Sequence, residues 1–220
     1  MDAEKLRSTY NNYFSGGKNL WTSNDAKKTM KVARQTIGWL KNAGFTKPNG
    51  KVLDVGCATG YYSDAFRRLG FEVTGLDYSD VAVQQATVNF PQCRFVQMNG
   101  FEPIFHEKFD VIFCRGFSGA NTHDVAFVAN WVNKYINFLS NDGYFVLGYS
   151  SDFSGGEKEG ETVNLTRVEI DQLAGKIQAH YSSYNVFYYF GFLSKLKRTF
   201  EKNVLGKRVK DYYYLVFRKP

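Results

Sequence analysis

The stretch that most constrains the fold is residues 51–62, Lys-Val-Leu-Asp-Val-Gly-Cys-Ala-Thr-Gly-Tyr-Tyr, an apolar run that ends in a glycine-bracketed turn. The run around Leu53 predicts a buried parallel strand, because such strands are covered on both faces and lose the polar alternation of a half-exposed strand. Asp54 interrupts the run, and a buried carboxylate needs a partner. The turn between Gly56 and Gly60 lets the backbone approach a ligand closely and leads into a helix N-terminus.

The spacing of this turn separates two classes of ligand. The dinucleotide fingerprint needs glycines at positions 56, 58 and 61, and here Ala58 and Tyr61 occupy two of the three. Asp54 followed by Gly56 and Gly60 instead resembles motif I of the class I S-adenosylmethionine-dependent methyltransferases, whose usual form is acid-x-Gly-x-Gly-x-Gly. The methionine end of that cofactor carries an ammonium and a sulfonium, so an acidic strand end would attract it.

The resemblance implies a single domain over residues 1–220 with a doubly wound α/β fold. Its seven-stranded sheet would be mostly parallel and would end in a C-terminal antiparallel hairpin, as in Rossmann-like methyltransferases. Residues 1–45 would form an N-terminal helical cap, residues 51–150 the cofactor-binding core, and residues 151–220 a lid loop, a helix and the hairpin. A chain of 220 residues with 44% hydrophobic residues is long enough for one such core.

Hydrophobic runs and turn signals place the elements of this fold. The predicted strands are 52–55, 72–77, 94–98, 109–114, 144–149, 185–190 and 212–217. The predicted helices are 25–43, 61–69, a helix that Ser79 or Asp80 caps and that runs to residue 89, 124–139 and 166–180. Residues 141–143 would form a turn, and residues 150–164, which are rich in glycine and charge, would form a long loop of the kind that often serves as a lid.

Asp77 is the second chemical signal, because it ends a predicted strand 23 residues after Asp54. An acid at about this interval accepts the ribose hydroxyls of adenosine-containing ligands, and an ionised carboxylate only accepts hydrogen bonds. Asn99 stands where the family usually places the aspartate that binds the adenine amino group, and asparagine keeps the carbonyl acceptor. The cofactor-binding residues that the resemblance implies are Tyr13, Asp54, Gly56, Cys57, Ala58, Gly60, Asp77, Tyr78, Asn99, Gly100 and Arg115.

Methyl transfer needs few catalytic side chains, because the sulfonium already activates the methyl group. Most of the rate enhancement comes from aligning the acceptor atom with the methyl–sulfur bond. A base is needed only if the acceptor is protonated. His123, in the loop after the fourth strand, is the candidate, although an exposed loop histidine is the alternative. Cys57, Cys93 and Cys114 fall in or beside predicted strands rather than in ligand pairs, so no metal site is predicted.

The net charge of +7 bears on the partners of the chain. Basic residues gather at Lys27, Lys28, Lys31 and Arg34 and again in 195–219, which predicts either a solvated face or attraction to an anionic partner. The predicted acceptor is an O or N atom of a small anionic molecule, a sugar or a lipid headgroup. The alternatives are an RNA methyltransferase and a non-catalytic nucleic-acid-binding module with this fold.

No apolar run reaches the roughly 18 residues that a membrane helix needs, and the first residues do not resemble a secretory signal. We therefore expect a cytoplasmic protein without stable membrane insertion. The aromatic residues of the N-terminal segment are expected to lie near the cofactor, with Tyr10 or Tyr13 touching it. The sequence does not predict an oligomeric state.

Overall fold

The computed structural model describes residues 3–16, 25–151, 153, 155–156, 163, 165–187, 204 and 211–220. The strands are β1 (Lys51–Val55), β2 (Glu72–Asp77), β3 (Arg94–Gln97), β4 (Phe109–Arg115), β5 (Leu139–Ser151), β6 (His180–Phe187) and β7 (Asp211–Arg218). The described helices are α1 (Ala3–Ser15), α2 (Ala26–Asn42), α3 (Tyr61–Arg68), α4 (Asp80–Asn89), α5 (Val125–Ile136) and α6 (Arg167–Lys176), with a 3-10 turn at Ser118–Ala120.

The seven strands form one sheet in the order β3-β2-β1-β4-β5-β7-β6. The strands from β1 to β5 pair in parallel, and β7 is antiparallel to both of its neighbours, β5 and β6. The strand order reverses at β1, which lies between β2 and β4, so ligands are expected outside the carboxyl ends of these three strands. The predicted doubly wound, mostly parallel fold with its C-terminal antiparallel pair is confirmed.

Helices cover both faces of the sheet. The layer with α5 and α6 buries Leu53, Ile112, Trp131, Tyr135, Leu147 and Leu173. The layer with α2 and α3 buries Leu40, Val52, Phe66, Val111, Phe113 and Val146. Neighbouring residues of β1 contribute to opposite layers, which explains why this strand is apolar almost throughout.

Two predicted helix ends and one predicted turn are wrong, and all three involve residues that belong to the sheet. Helix α5 ends at Ile136 instead of residue 139, because Leu139 pairs with Phe109 as the first residue of β5. Residues 141–143 are not a separate loop but an irregularity within β5, where Asp142 adopts a φ of 61°. Helix α6 ends at Lys176 instead of residue 180, because His180 opens β6 opposite Arg218.

Several predicted features lie wholly or mostly outside the described residues. They are the lid loop at 150–164, the end of the sixth strand at 188–190, and the basic segment at 195–210. Within the described part of the chain, no helix combines the length and the apolar character needed to cross a membrane.

Candidate active site

A cavity of about 430 Å³ opens at the carboxyl ends of the parallel strands, beneath α1. It is lined by Thr9, Tyr10, Tyr13, Phe14, Gly56, Ala58, Leu76, Asp77, Tyr78, Asn99, Gly100, Phe101, Arg115, Gly116, Phe117, Ser118 and Asn121. These residues come from α1, from the carboxyl ends of β2 and β4, and from the loops after β1, β2, β3 and β4. The cavity therefore lies at the position that the strand order predicts for a ligand.

The turn after β1 presents backbone to this cavity. Gly56 and Gly60 adopt φ values of 74° and 86°, in the left-handed region that favours glycine. A Cβ at Gly60 would also come within 2.8 Å of the Phe95 ring. The N–H groups of Gly56 and Cys57 both donate to the Leu76 carbonyl, at 2.8 and 2.9 Å, so the turn is tied to the end of β2.

Asp77 stands at the end of β2 and is the only acidic residue among the described lining residues. Its Oδ2 accepts from the Ala58 N–H and its Oδ1 from the Ser79 N–H, each at 2.9 Å. Burial raises the pKa of Asp77, while these backbone N–H groups oppose the rise. A carboxylate has about four lone-pair positions, so Asp77 can still accept two hydroxyl donors from a ligand.

The loop after β3 forms a second wall. Asn99 Oδ1 accepts from the Phe101 N–H at 3.0 Å, and the Gly100 carbonyl accepts from Trp131 Nε1 at 2.9 Å and from the Tyr135 hydroxyl at 2.8 Å. These bonds fix the loop against α5. Phe117 stacks on Trp131 with ring centroids 4.7 Å apart and an interplanar angle of 10°, so an ordered aromatic face borders the cavity.

Arg115 ends β4 and is the only cationic residue among the described lining residues. Its Nε donates to the Tyr214 hydroxyl at 3.1 Å, and its guanidinium carbon lies 5.3 Å from the centre of the Tyr62 ring. Gly148 leaves the space for this arrangement, because a Cβ there would lie 2.6 Å from the Tyr214 ring and 3.3 Å from Arg115 Cγ. The guanidinium is thus held in place before any ligand binds.

Helix α1 covers the cavity and is bonded to both of its sides. The Tyr10 hydroxyl donates to Ser118 Oγ at 2.8 Å, in the loop after β4. Ser79 Oγ, at the start of α4, donates to Asn11 Oδ1 at 2.7 Å, and Arg7 pairs with Asp80 at 3.3 Å. The helix therefore bridges the β2 and β4 ends of the site.

Eight of the predicted cofactor residues line this cavity: Tyr13, Gly56, Ala58, Asp77, Tyr78, Asn99, Gly100 and Arg115. Asp54, Cys57 and Gly60 do not line it.

Asp54 is 2% exposed in β1, where its Oδ2 accepts from Ser63 Oγ at 2.7 Å. Burial, together with the nearby charge of Asp77, raises the pKa of Asp54 to about 7 although Ser63 lowers it. Burial likewise raises the pKa of the Cys57 thiol.

His123 lies outside the cavity lining as well. Its Nδ1 is 3.0 Å from Glu169 Oε2, and Glu169 belongs to the capping box that begins α6. The pKa of Glu169 is lowered because hydrogen bonds from Thr166 and His123 outweigh the opposing effect of burial. A base role for His123 stays a prediction, and the ring would have to leave Glu169 to serve it.

Eight residues that line the cavity are not among the site residues predicted from the sequence, and Phe117 is the clearest example. An Arg-Gly-Phe run directly after a predicted strand places an aromatic ring at the carboxyl edge of the sheet, which is a signal that the sequence does carry. The stacking of Phe117 on Trp131 has no such signal, because the two residues meet only in the folded chain. The other lining residues of this kind are Thr9, Phe14, Leu76, Phe101, Gly116, Ser118 and Asn121.

Comparison with known proteins gives a family match and many structural matches. A family model described as a methyltransferase domain matches residues 46–212, which is 167 of the 220 residues. No curated protein sequence matches the chain.

Three solved structures illustrate the fold. Magnesium protoporphyrin IX methyltransferase from Synechocystis PCC 6803, with bound S-adenosylmethionine, has a TM-score of 0.67 at 13% identity, covering 100% of this chain and 98% of that one. 1,6-Didemethyltoxoflavin-N1-methyltransferase from Burkholderia thailandensis has a TM-score of 0.65 at 18% identity, covering 99% and 88%. Phosphoethanolamine N-methyltransferase 2 from Haemonchus contortus has a TM-score of 0.60 at 16% identity, covering 85% and 52%.

The family match spans strands β1 to β6, the glycine turn after β1 and most of the residues that line the cavity. The first two structural matches cover nearly the whole chain and share its fold. The chain belongs to the methyltransferase domain family, and its predicted membership of the class I S-adenosylmethionine-dependent methyltransferases is confirmed.

Proposed function

We propose that the cavity binds S-adenosylmethionine and that the protein transfers its methyl group to an O or N atom of a small anionic acceptor. The observation that carries this proposal is that Asp77 and Arg115 line the same cavity on either side of the Gly56 turn. Strand β1 separates β2 from β4, so the two strand ends lie two strand spacings apart, about 9.6 Å. This arrangement suits a ligand that has hydroxyl donors at one end and a carboxylate at the other.

The adenosine end of the cofactor fits the β2 and β3 side of the cavity. Asp77 would accept the two ribose hydroxyls with the lone pairs that Ala58 and Ser79 leave over. Phe117 and Tyr78 would give the adenine ring apolar walls, and the Asn99 carbonyl can accept a second hydrogen bond, from the adenine amino group.

The amino-acid end of the cofactor fits the β4 side. A guanidinium binds a carboxylate through two parallel N–H···O bonds, which give both energy and orientation. Tyr214 and Tyr62 hold the Arg115 side chain beside the cavity, so little freedom is lost when the carboxylate arrives. We propose that Arg115 binds the methionine carboxylate.

When bound, the cofactor supplies a methyl group that its sulfonium has already activated. The protein must place the acceptor in line with the methyl–sulfur bond and keep water away, so position and orientation are the leading contributions to rate. Helix α1 serves both needs, because Tyr10, Tyr13 and Phe14 cover the cavity and Tyr10 bonds to Ser118 across it. A proton acceptor is required only for an acceptor atom that is protonated at working pH.

A small acceptor is supported by the closure of α1 over the cavity. The three solved structures described above are named for small acceptors, namely a magnesium porphyrin, a didemethyltoxoflavin and phosphoethanolamine. An anionic acceptor is supported by the net charge of +7 and by the segment 195–210, which has seven basic residues and one acid.

Titration calorimetry tests the cofactor. S-Adenosylmethionine and its demethylated product, S-adenosylhomocysteine, should bind in the micromolar range, and a nicotinamide dinucleotide should not. No heat with either sulfur ligand together with binding of the dinucleotide would contradict the proposal.

A labelled methyl group tests the acceptor. The protein is incubated with methyl-labelled cofactor and a fractionated cell extract, with Asp77→Asn protein as the matched control for transfer that does not depend on this site. Label in a low-mass fraction that an anion exchanger retains supports the proposal, whereas label in RNA or in protein contradicts the small acceptor.

A further inference from the structure

The outer face of α2 carries a charge pattern that the cavity does not use. Its inner face is buried through Val32, Ala33, Ile37 and Leu40. The outer face carries five exposed cations, Lys27, Lys28, Lys31, Arg34 and Lys41. The 17 residues of the helix include no acid, and none of them lines the cavity.

Most of these cations have no anionic partner within the described part of the chain. Lys28 pairs with the N-cap residue Asp25 at 3.4 Å. Lys27, Lys31, Arg34 and Lys41 make no ion pair with any described residue. The arginines of the neighbouring helix α3, in contrast, are both paired with Asp64, at 2.8 and 2.7 Å. Among the described residues, both α3 arginines are therefore neutralised, whereas four of the five α2 cations are not.

Gly38 lies in the middle of this face. It is exposed, and a Cβ built on it would meet nothing within 4 Å. Glycine is the poorest helix former after proline, and no contact within the described chain requires it here. Glycine is also the residue that lets another molecule approach a backbone closely. A bare patch of helix backbone is thus flanked by Arg34 and Lys41.

We propose that the outer face of α2 docks the phosphate backbone of a nucleic acid. From Lys27 to Lys41 the helix rises about 21 Å, so the cations form a line along it rather than a compact cluster. A line of charge matches a partner whose own charges repeat along a chain, and Gly38 gives that chain room to lie against the helix. A helix that binds in a membrane interface would need its apolar face exposed, but the apolar face of α2 is in the core.

This surface does not depend on the proposed function, because its test measures binding and requires no methyl transfer. The probe is a fluorescein-labelled oligouridylate of 16 nucleotides, with DNA of the same length as a second arm, and fluorescence anisotropy is followed across a salt series. Neutralising phosphates with five cations gives a slope of log K against log salt of up to about −3.5 for a single strand.

The variant Lys31→Gln/Arg34→Gln removes two of these cations and leaves the cavity untouched. We expect its salt slope to be shallower by about 1.4 and its affinity near 0.1 M salt to fall roughly 25-fold, because each lost phosphate contact costs about fivefold there. The matched control is Lys108→Gln/Lys176→Gln, which loses the same charge from exposed positions outside α2. The control should bind the oligonucleotides nearly as the unaltered protein does.

Gly38→Leu tests the close approach without changing charge. We expect it to fold, because the space around Gly38 is open, and to bind the oligonucleotide at least tenfold more weakly. Gly175→Leu is its control, since a Cβ at that exposed glycine of α6 also meets nothing within 4 Å.

The proposal is overturned if both double variants bind equally well, or if binding does not depend on salt. It is also overturned if vesicles containing phosphatidylserine or a poly-glutamate peptide bind the unaltered protein but neither oligonucleotide does, because the partner would then be a membrane or an acidic protein. If Lys31→Gln/Arg34→Gln weakens binding of both the RNA and the DNA oligonucleotide, docking of a phosphate backbone is supported. If it weakens binding of the RNA oligonucleotide alone, RNA is identified as the source of the phosphates.

Discussion

The carboxylate of Asp77 accepts a hydrogen bond of 2.9 Å from the backbone N–H of Ala58, so the end of β2 holds the turn that follows β1. Its other oxygen accepts from the N–H of Ser79, the N-cap residue of α4. One side chain thus shapes the cavity and, in the proposed function, binds the ribose. Its two roles respond differently to substitution, which makes them separable by experiment.

Asp77→Asn should weaken cofactor binding by about 1.5 to 3 kcal/mol, because hydrogen bonds to a charged acceptor are lost. That range corresponds to roughly 10- to 150-fold in Kd and is measured by calorimetry with S-adenosylhomocysteine. Asparagine is preferred to alanine here because its carbonyl oxygen keeps an acceptor for one of the Ala58 and Ser79 N–H groups, whereas alanine would leave both without one. Thr166→Ala, which removes the N-cap of α6, is the control for cap loss and should lower Tm without changing affinity. An unchanged Kd with a lowered Tm in Asp77→Asn would show that Asp77 has only a structural role.

Arg115→Met should weaken S-adenosylhomocysteine by tenfold or more and leave 5′-methylthioadenosine, which lacks the amino-acid carboxylate, unchanged. The loss reflects a charge-assisted, bidentate hydrogen bond. Arg115→Lys should bind S-adenosylhomocysteine with an affinity between those of Arg115→Met and the unaltered protein. Lysine keeps the positive charge but lacks the planar pair of donors that binds a carboxylate. Equal weakening of both ligands would instead show that Arg115 acts through its packing on Tyr62 and Tyr214.

Tyr10→Phe should speed dissociation of the cofactor about fivefold, because one hydrogen bond of about 1 kcal/mol between α1 and the loop after β4 is removed. Ser118→Ala should have the same effect, and the double variant should be no faster than either single one, since both remove the same bond. Stopped-flow fluorescence gives the rates. Tyr144→Phe, which loses a 2.7 Å bond to the Ala43 carbonyl outside the cavity, serves as control. Additive effects of Tyr10→Phe and Ser118→Ala would contradict a bond that closes the site.

Sequence alone predicted the features that depend on local geometry. The two glycines of the turn after β1 adopt positive φ values. Their positions in the sequence predict this turn, because glycine adopts such values without steric cost. The place of Asp77 in the cavity lining is predictable, because its interval from the turn follows from the length of one helix and one strand. The doubly wound, mostly parallel sheet is predicted by the alternation of strands and helices, together with the resemblance of the glycine turn to a known family.

Features that depend on contacts between distant residues were not predicted. The Phe117 wall requires Trp131, and the surroundings of His123 are set by Glu169, which is 46 residues away. Hydrophobic periodicity predicts that α5 includes Leu139, because its apolar side chain fits the buried stripe of that helix. Pairing with Phe109 determines its place in β5, and hydrophobic periodicity does not report pairing.

His123→Gln should leave the turnover rate within about threefold of the unaltered protein and the pH–rate profile unchanged, because the ring contacts Glu169 rather than the cavity lining. A modest fall in Tm is expected from the lost contact, and Glu169→Gln should produce a similar fall. Initial rates measured across the neutral pH range show whether His123 acts as a base. If turnover instead drops by two orders of magnitude or more, and the pH–rate profile loses an ionisation within the neutral range, His123 is established as the base.

Asp54→Asn should stabilise the ligand-free protein at neutral pH and remove part of the dependence of stability on pH. Burial raises the pKa of Asp54 from 3.8 to about 7, so the folded protein keeps a proton that the unfolded chain releases. The stability that this proton provides is fully present below about pH 4 and is lost progressively as the pH rises to about 7. A shift of this size corresponds to a loss on the order of 4 kcal/mol.

Urea unfolding at pH 4.5, 6 and 7.5 measures the effect as the difference between the two proteins. The difference is required because Asp77, whose pKa burial also raises, acts in the same direction, while carboxyls with lowered pKa such as Glu107 act in the opposite one. The advantage of Asp54→Asn should grow from pH 4.5 to pH 7.5. Ser63→Ala should make the loss in this window larger, because the Ser63 hydroxyl donates to Asp54 and holds its pKa down. If the free energy of unfolding changes with pH equally in Asp54→Asn and in the unaltered protein, Asp54 ionises normally in the folded state. Water would then have to reach its carboxylate in β1.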